Sequence, residues 1–364
     1  MNKLRGRVAS ARSPTSTSIR PSAPWRVGLC LRFNSSSASV GSNPDANTED
    51  NPLRILFCGS DDFSIASLRA LHTEHLERPD RIAAIDVVCR PGKRTGRGLK
   101  KIREVPIKAA AAQLGIPVHE RDTFTGWTPP IPYNLVIAVS FGLLVPARIL
   151  NTAKYGGLNV HPSMLPDFRG SAPIHHALLH SLTHAGITIQ TMHPTRFDAG
   201  AILLQTLPPG LPIPQPSPSS LLPCCTPAHL TAHLAPLSAT LLLTALRSAL
   251  FLPSSRTTHP PPPPVLPTRA GAYVPAAAAA RPDATLPPRP APKLTPADAR
   301  IDWAAMPAAT LLRRLAVLGR LWDAQTRAWC ARIGAAAAGR PASEPGPPLR
   351  VLFEEMRLVG RAWA

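Results

Sequence analysis

Cysteine is scarce in this chain: the six present, Cys30, Cys58, Cys89, Cys224, Cys225 and Cys330, form no CxxC pair and no zinc-ligand spacing. That argues against a zinc module or a disulfide-stapled scaffold and points to free thiols in a reducing compartment. No GxGxxG follows the first strand-like run, although Gly59 stands where such a phosphate loop begins, so a nicotinamide cofactor is disfavoured. No acidic residue precedes Asp45. Long apolar runs are missing too. The most apolar stretch, 228–252, is interrupted by Arg247 and reads as too short and too broken to span a bilayer, so membrane insertion is not expected. No apolar core follows the early charges, which argues against a secretory signal.

Acids are also the minority overall. Forty Lys and Arg against 21 Asp and Glu give a formal charge of +19. Such a balance favours a polyanionic partner or an organellar address, although an Ala-, Pro- and Arg-rich composition also follows from a GC-biased genome. The first 40 residues carry Lys3, Arg5, Arg7, Arg12, Arg20, Arg26 and Arg32 among many serines. This is the composition of a mitochondrial transit peptide, and cleavage near Phe33 to Ser37 and residence in the mitochondrial matrix are expected. The alternative is a basic tail without structure.

From Leu53 short apolar runs, Ile55 to Phe57, Ile82 to Val88, Leu135 to Val139 and Ile187 to Thr191, alternate with helix-like stretches. That pattern predicts an α/β fold, a Rossmann-like doubly wound parallel sheet with helices on both faces. Asp61 and Asp62 should open and cap the first helix, Phe63 to Leu71. The expected organisation is a transit peptide at 1–40, a disordered connection at 41–52 and a catalytic domain at 53–252 with a proline-rich insertion at 207–227. A Pro/Ala-rich linker at 253–292, extended or disordered, then leads to a shortened C-terminal domain at 293–364.

The most informative segment is LNVHPSMLPDFRGSAPI, Leu158 to Ile174, followed by RFDAG with Asp198. Asn159 and His161 lie two apart at the end of a strand-like run that Pro162 stops, so their side chains leave one face and converge. An amide and an imidazole aimed at one point suit a developing oxyanion. Asp198 is the nearby carboxylate able to hold the imidazole in orientation, and Gly200 allows the tight turn behind it. Taken singly, each residue is more often a turn or structural residue, and the combination carries the chemistry. The rigid turn Ser163, Met164, Leu165, Pro166, with Arg169 and Gly170 beyond it, reads as a ligand-holding loop. His176, His180 and His184 recur every four residues but bring no acidic partner, so they are read as helix-surface residues and no metal is expected.

These residues resemble the folate-dependent formyltransferase family, whose signature is Asn-x-His-Pro-Ser-x-Leu-Pro, then Arg-Gly and a downstream Asp-x-Gly. Further likeness lies in ILFCGSDDFSIASLRAL at Ile55 to Leu71, CRPGKRTGRGLKK at Cys89 to Lys101, VPIKAAAAQLGIPV at Val105 to Val118 and APKLTPADARIDW at Ala291 to Trp303. The resemblance implies 10-formyltetrahydrofolate as formyl donor, with Asn159, His161 and Asp198 as the catalytic set and Ser163, Met164, Leu165 and Pro166 at the folate. Within the family it is nearest to the branch whose acceptor is the α-amine of methionine on initiator tRNA.

In that branch the C-terminal domain is a small OB-like β-barrel that binds tRNA. Here the corresponding segment is shortened and Ala- and Pro-rich, so the completeness of the barrel stays open. Lys93, Arg94, Arg97, Lys100 and Lys101, set among Gly92, Gly96 and Gly98, form a cationic loop. By composition it suits a solvated surface as well as an RNA contact, and the resemblance favours tRNA. A monomer is expected. The alternatives are a relative that formylates a small amine, a formyl-folate hydrolase, and an RNA-binding protein that keeps the fold without catalysis.

Overall fold

The computed structural model describes residues 52–216, 224–252, 273–274, 287–323, 351–354 and 356. The segment expected to be a transit peptide, most of the expected linker at 253–292, residues 217–223 of the proline-rich stretch and most of the chain after 323 lie outside the described residues, as do Cys30 and Cys330.

The apolar runs become strands because each is buried on both faces. In chain order the elements begin with β1 (Leu53–Gly59), α1 (Asp62–Glu77), β2 (Ile82–Cys89), β3 (Lys93–Thr95), β4 (Lys101–Arg103), α2 (Pro106–Gln113), β5 (Val118–Glu120) and β6 (Leu135–Val139). They continue with α3 (Ala147–Thr152), β7 (Gly157–His161), α4 (Pro173–Leu179), β8 (His184–Ala185), β9 (Thr188–Thr191), β10 (Ile202–Thr206), β11 (Leu211–Pro212) and α5 (Pro227–Arg247). β12 (Tyr273–Val274), α6 (Ala308–Leu318), β13 (Leu321–Asp323) and β14 (Val351–Phe353) complete the described set.

An eight-stranded sheet carries the fold, in the order β12-β10-β9-β7-β6-β1-β2-β5. β5, β2, β1, β6 and β7 are parallel to one another, as expected for strands joined by crossovers. Ile187 to Thr191, grouped by its composition with the parallel runs, contributes β9, which runs antiparallel to β7, and β10 and β12 continue the antiparallel edge. The chain leaves β1 toward β2 and β5 and returns on its other side at β6. This reversal of strand order opens a crevice at the carboxyl ends of β1 and β6.

Two apolar layers cover the sheet. Phe57, Phe63, Leu68, Ile137, Leu158, Leu234 and Leu242 belong to the larger, with α1 and α5. Leu56, Val88, Phe124, Val136, Phe141 and Ile149 belong to the other. Asp61 caps α1 by accepting from Ser64 N at 3.1 Å. Glu74, 2% exposed, ties α1 to α5 through Arg247 and to the start of β2 through Arg81.

The stretch after Ala228 needs a correction. α5 has 21 residues and is long and apolar enough to cross a membrane, so length does not exclude a span. Here it packs as a core helix: Leu230, Leu234, Leu241, Leu242 and Ala245 are fully buried against the sheet and α1. The histidine spacing also breaks down. His176 lies in α4, His180 ends that helix, and His184 lies in β8, so the three do not share a helical face.

The described end of the linker is extended and docked. Ala291 N donates to Arg169 O at 2.8 Å and Ala172 N to Ala291 O at 3.1 Å, while Arg289 pairs with Asp167. Beyond it, Ile301, Leu311, Leu315 and Leu321 form a satellite core, and β13 and β14 form one antiparallel pair. That pair is what the described residues hold of the expected barrel.

Candidate active site

The crevice at the switch point is a cleft of about 550 Å³. Asp61, after β1, and Ser140 to Val145, after β6, border it on one side; Asn159 and His161 at the end of β7 and the Arg196–Phe197–Asp198 turn border the other. Parallel strands deliver their last residues to one edge of a sheet, which explains why segments so far apart in sequence meet here.

Asp198 organises the site. Its backbone is left-handed, with φ of 49°. Gly200 behind it admits no side chain, because a Cβ there would lie 1.6 Å from the Thr191 carbonyl oxygen. In this turn Asp198 Oδ1 accepts from Asn159 Nδ2 at 3.0 Å and from Gln190 Nε2 at 3.2 Å, while Oδ2 accepts from Gly170 N at 3.1 Å. Gly170 has φ of 132°, and its amide approaches the carboxylate beneath the docked linker.

His161, 5% exposed, is held at both ring nitrogens. Nε2 donates to the Phe168 carbonyl at 3.0 Å, and Nδ1 lies 3.4 Å from Asp198 Oδ1. A carbonyl only accepts, so Nε2 carries a proton and Nδ1 is left facing the carboxylate. The expected trio is therefore assembled, but the imidazole does not aim an N–H at the cleft. The ring flanks the cleft from the side, and the second N–H of the Asn159 amide is the side-chain donor of the trio available to a bound group.

The turn Ser163 to Pro166 lies elsewhere than expected. Ser163, Met164 and Leu165 line a separate cavity of about 240 Å³ with Gln205, Pro209 and Arg289, and Pro162 borders both cavities. The turn is locked from within: Ser163 Oγ donates to Asp167 O at 2.7 Å, and Thr188 Oγ1 donates to Ser163 O at 2.6 Å.

The basic loop forms a hairpin, with Lys93 opposite Arg103 and Thr95 opposite Lys101. Lys93, Arg94, Lys100 and Lys101 are exposed, and Gly96, Gly98 and Leu99 take positive φ in the turn. β2 runs parallel to β1, so the hairpin leaves the same carboxyl edge of the sheet as the cleft. The Arg97 side chain lies outside the described atoms.

Sequence reasoning missed three groups. Asp61, read only as a cap, also lines the cleft. Burial raises its pKa above the ordinary carboxylate range, opposed by hydrogen bonds from the Ser64 amide and the Ser140 side chain. Phe197 stands 56% exposed on the rim. Gln190 is buried between the sheet and Asp198. In the segment IleThrIleGlnThr it stands among other polar residues, so its sequence position alone gave no signal. Among the described residues no group of three metal-ligating side chains comes together.

Residues 53–215 match the formyl transferase family model. The mitochondrial methionyl-tRNA formyltransferase of Saccharomyces cerevisiae is 33% identical over 372 positions, covering 94% of this chain and 82% of that one. The chain belongs to the methionyl-tRNA formyltransferase family. The human mitochondrial relative is 35% identical over 231 residues, 63% of this chain and 52% of its own length. The methionyl-tRNA formyltransferase of Ehrlichia ruminantium strain Gardel is 36% identical over 164 residues, 42% of this chain and 50% of that one. Among solved structures, a sugar N-formyltransferase from Shewanella sp. FDAARGOS_354 aligns with a TM-score of 0.49 at 14% identity, over 85% of this chain and 99% of that one.

Proposed function

We propose that the cleft transfers the formyl group of 10-formyltetrahydrofolate to the α-amine of methionine esterified to initiator tRNA, in the mitochondrial matrix. The observation that carries this reading is the Asn159, His161 and Asp198 constellation, in which Asp198 accepts from Asn159 and lies beside the His161 ring at a cleft of about 550 Å³. A cavity of that size suits a flat bicyclic ligand. The cleft also fits its chemistry: Phe141, Leu143, Leu144 and Val145 offer an apolar wall, and the half-shielded Asp61 carboxyl accepts ring N–H groups. Ser163, Met164, Leu165 and Pro166 serve the folate by fixing Pro162, which borders the cleft, rather than by lining it.

The reaction joins the amine nitrogen to the formyl carbon, moves the carbonyl π electrons onto oxygen, and then restores them as the bond to the folate nitrogen breaks. The proton lost by the amine is taken up by the departing nitrogen. A methionyl ester amine, with a pKa at or below roughly 7.7, is sufficiently neutral to attack without a strong base. Asn159 donates to the oxygen as charge develops. His161, oriented by the Phe168 carbonyl and set beside Asp198, lies a few ångströms away with its ring fixed against the reacting group. Asp198 holds both in register. Lys93, Arg94, Arg97, Lys100 and Lys101 would meet the tRNA phosphates from the hairpin beside the cleft, with the C-terminal segment as a second basic surface.

The test is formyl transfer by the purified full chain to charged initiator tRNA, to free methionine and to glycinamide ribonucleotide. Transfer to the tRNA alone is expected. Transfer to a small amine alone would move the enzyme to another acceptor class.

A further inference from the structure

Gln190 lies directly across the β7–β9 pair from Asn159, and the two amides reach the same carboxylate oxygen. Asp198 Oδ1 only accepts, so the end of Gln190 that faces it at 3.2 Å must be the NH2 group; the amide is not free to flip. The other end, Oε1, is therefore fixed as an acceptor. It is buried and has no hydrogen-bond partner, and the side chain, 1% exposed, lines the cleft. Buried acceptors are seldom left unpaired, and when they are the cause is often a ligand or a catalytic role.

The chemistry of the site identifies the missing donor. At the reacting centre two kinds of group need partners: the formyl oxygen requires donors, and the attacking nitrogen, which gains positive charge as its lone pair bonds to carbon, requires acceptors for its N–H groups. Asn159 supplies a donor. Asp198 Oδ1 already faces Asn159 Nδ2, Gln190 Nε2 and His161 Nδ1, so that oxygen has no lone pair to spare for the amine, and Oδ2 is turned toward the Gly170 amide. Building on the formyl transfer proposed above, we infer that Gln190 Oε1 accepts a hydrogen bond from the attacking amine and makes Gln190 a further catalytic residue. The strand thus presents a donor on β7 and an acceptor on β9 to the two ends of the forming bond.

Three substitutions separate this role from simple support of Asp198. Gln190→Met keeps the shape and removes both polar ends. Gln190→Lys keeps a donor toward Asp198 and removes the acceptor. Gln190→Glu, when protonated, restores a donor toward Asp198 and an acceptor toward the amine. Measured as kcat/KM for methionyl-tRNA relative to wild type from pH 5.5 to 8.5, the Met and Lys variants are expected to lose about 10- to 100-fold at every pH, with folate affinity within about two-fold. The Glu variant should approach wild type as the pH falls. A Lys variant close to wild type would leave Gln190 as a residue that only positions Asp198, and a Met variant without loss, or with its loss in folate affinity, would also overturn the inference. Wild-type transfer measured alongside keeps the two readings apart: no transfer by wild type overturns the reaction itself, whereas wild-type transfer with an unimpaired Met variant overturns only the role of Gln190.

Discussion

The side-chain amide of Asn159 donates to Oδ1 of Asp198 at 3.0 Å across 39 residues of sequence. The contact fixes which end of the Asn159 amide faces the carboxylate and leaves its second N–H for a bound oxygen. Asn159→Ala removes that donor and little apolar area. We expect turnover to fall by ~10²-fold or more while folate affinity is unchanged, because the donor matters where charge develops. Single-turnover transfer and folate titration of the same variant check this, and unchanged turnover would remove Asn159 from the mechanism.

Asp198→Asn tests the organiser. In the native site one carboxylate oxygen accepts from Asn159 and Gln190 and the other from the Gly170 amide. An asparagine turned either way sets its NH2 against one of these donors, and it removes the carboxylate beside His161. The expected result is a rate loss of at least ~10²-fold with folding retained, because the clash of two donors costs only about 1–3 kcal/mol. Circular dichroism and thermal melting beside the kinetics decide the point: a variant that does not fold would assign Asp198 to structure alone.

A pH-dependent term in stability resides in Glu74. Its carboxyl is held below the usual carboxylate range, chiefly by the Arg247 guanidinium with Arg81 assisting, against the opposing effect of burial. A depressed folded pKa means that the contribution is complete above the unfolded value, about 4.3, and is lost as pH falls through the lower folded value. Glu74→Gln should therefore cost about 1–3 kcal/mol at pH 7, a magnitude limited by the solvent reaching Arg247. The difference from wild type should shrink below about pH 4. Urea midpoints at pH 7 and pH 3.5 test it, and a gap that stays constant with pH would show that the ion pair contributes nothing through its charge.

The strands of the parallel core were legible because burial on both faces leaves continuous apolar runs, and Asp61 announced the first helix by the capping chemistry of a short acid. Asn159 and His161 were legible for a similar reason: a spacing of two at a strand end fixes a shared face whatever the tertiary context. What escaped depended on partners that spacing does not encode. The inward orientation of His161 is set by the Phe168 carbonyl, in a turn whose path is fixed by Ser163, Thr188 and the docked linker. Gln190 matters through its burial beside Asp198, and a lone glutamine in a strand carries no periodic signal. The length of α5 was underrated because Arg247 read as an interruption. Arg247 instead ends the helix on Glu74, and Pro236 lies within it.

Neutralising Arg94 and Arg97 together separates tRNA handling from chemistry. The hairpin that carries them leaves the same edge of the sheet as the cleft, and none of its described side chains lines the cleft, so the folate site should be untouched. A cation that pairs with a phosphate releases a counterion, so log K against log salt should flatten by roughly 0.7 to 0.9 for every such pairing that the substitutions abolish. We expect Arg94→Ala with Arg97→Ala to raise KM for methionyl-tRNA by about 10-fold or more at physiological salt, with kcat at saturating tRNA and folate affinity near wild type. The salt series makes the test specific. A KM that rises without any change in salt slope would show that the hairpin acts by shape and not by its charges. Equal activity at all salts would show that the hairpin does not meet the tRNA.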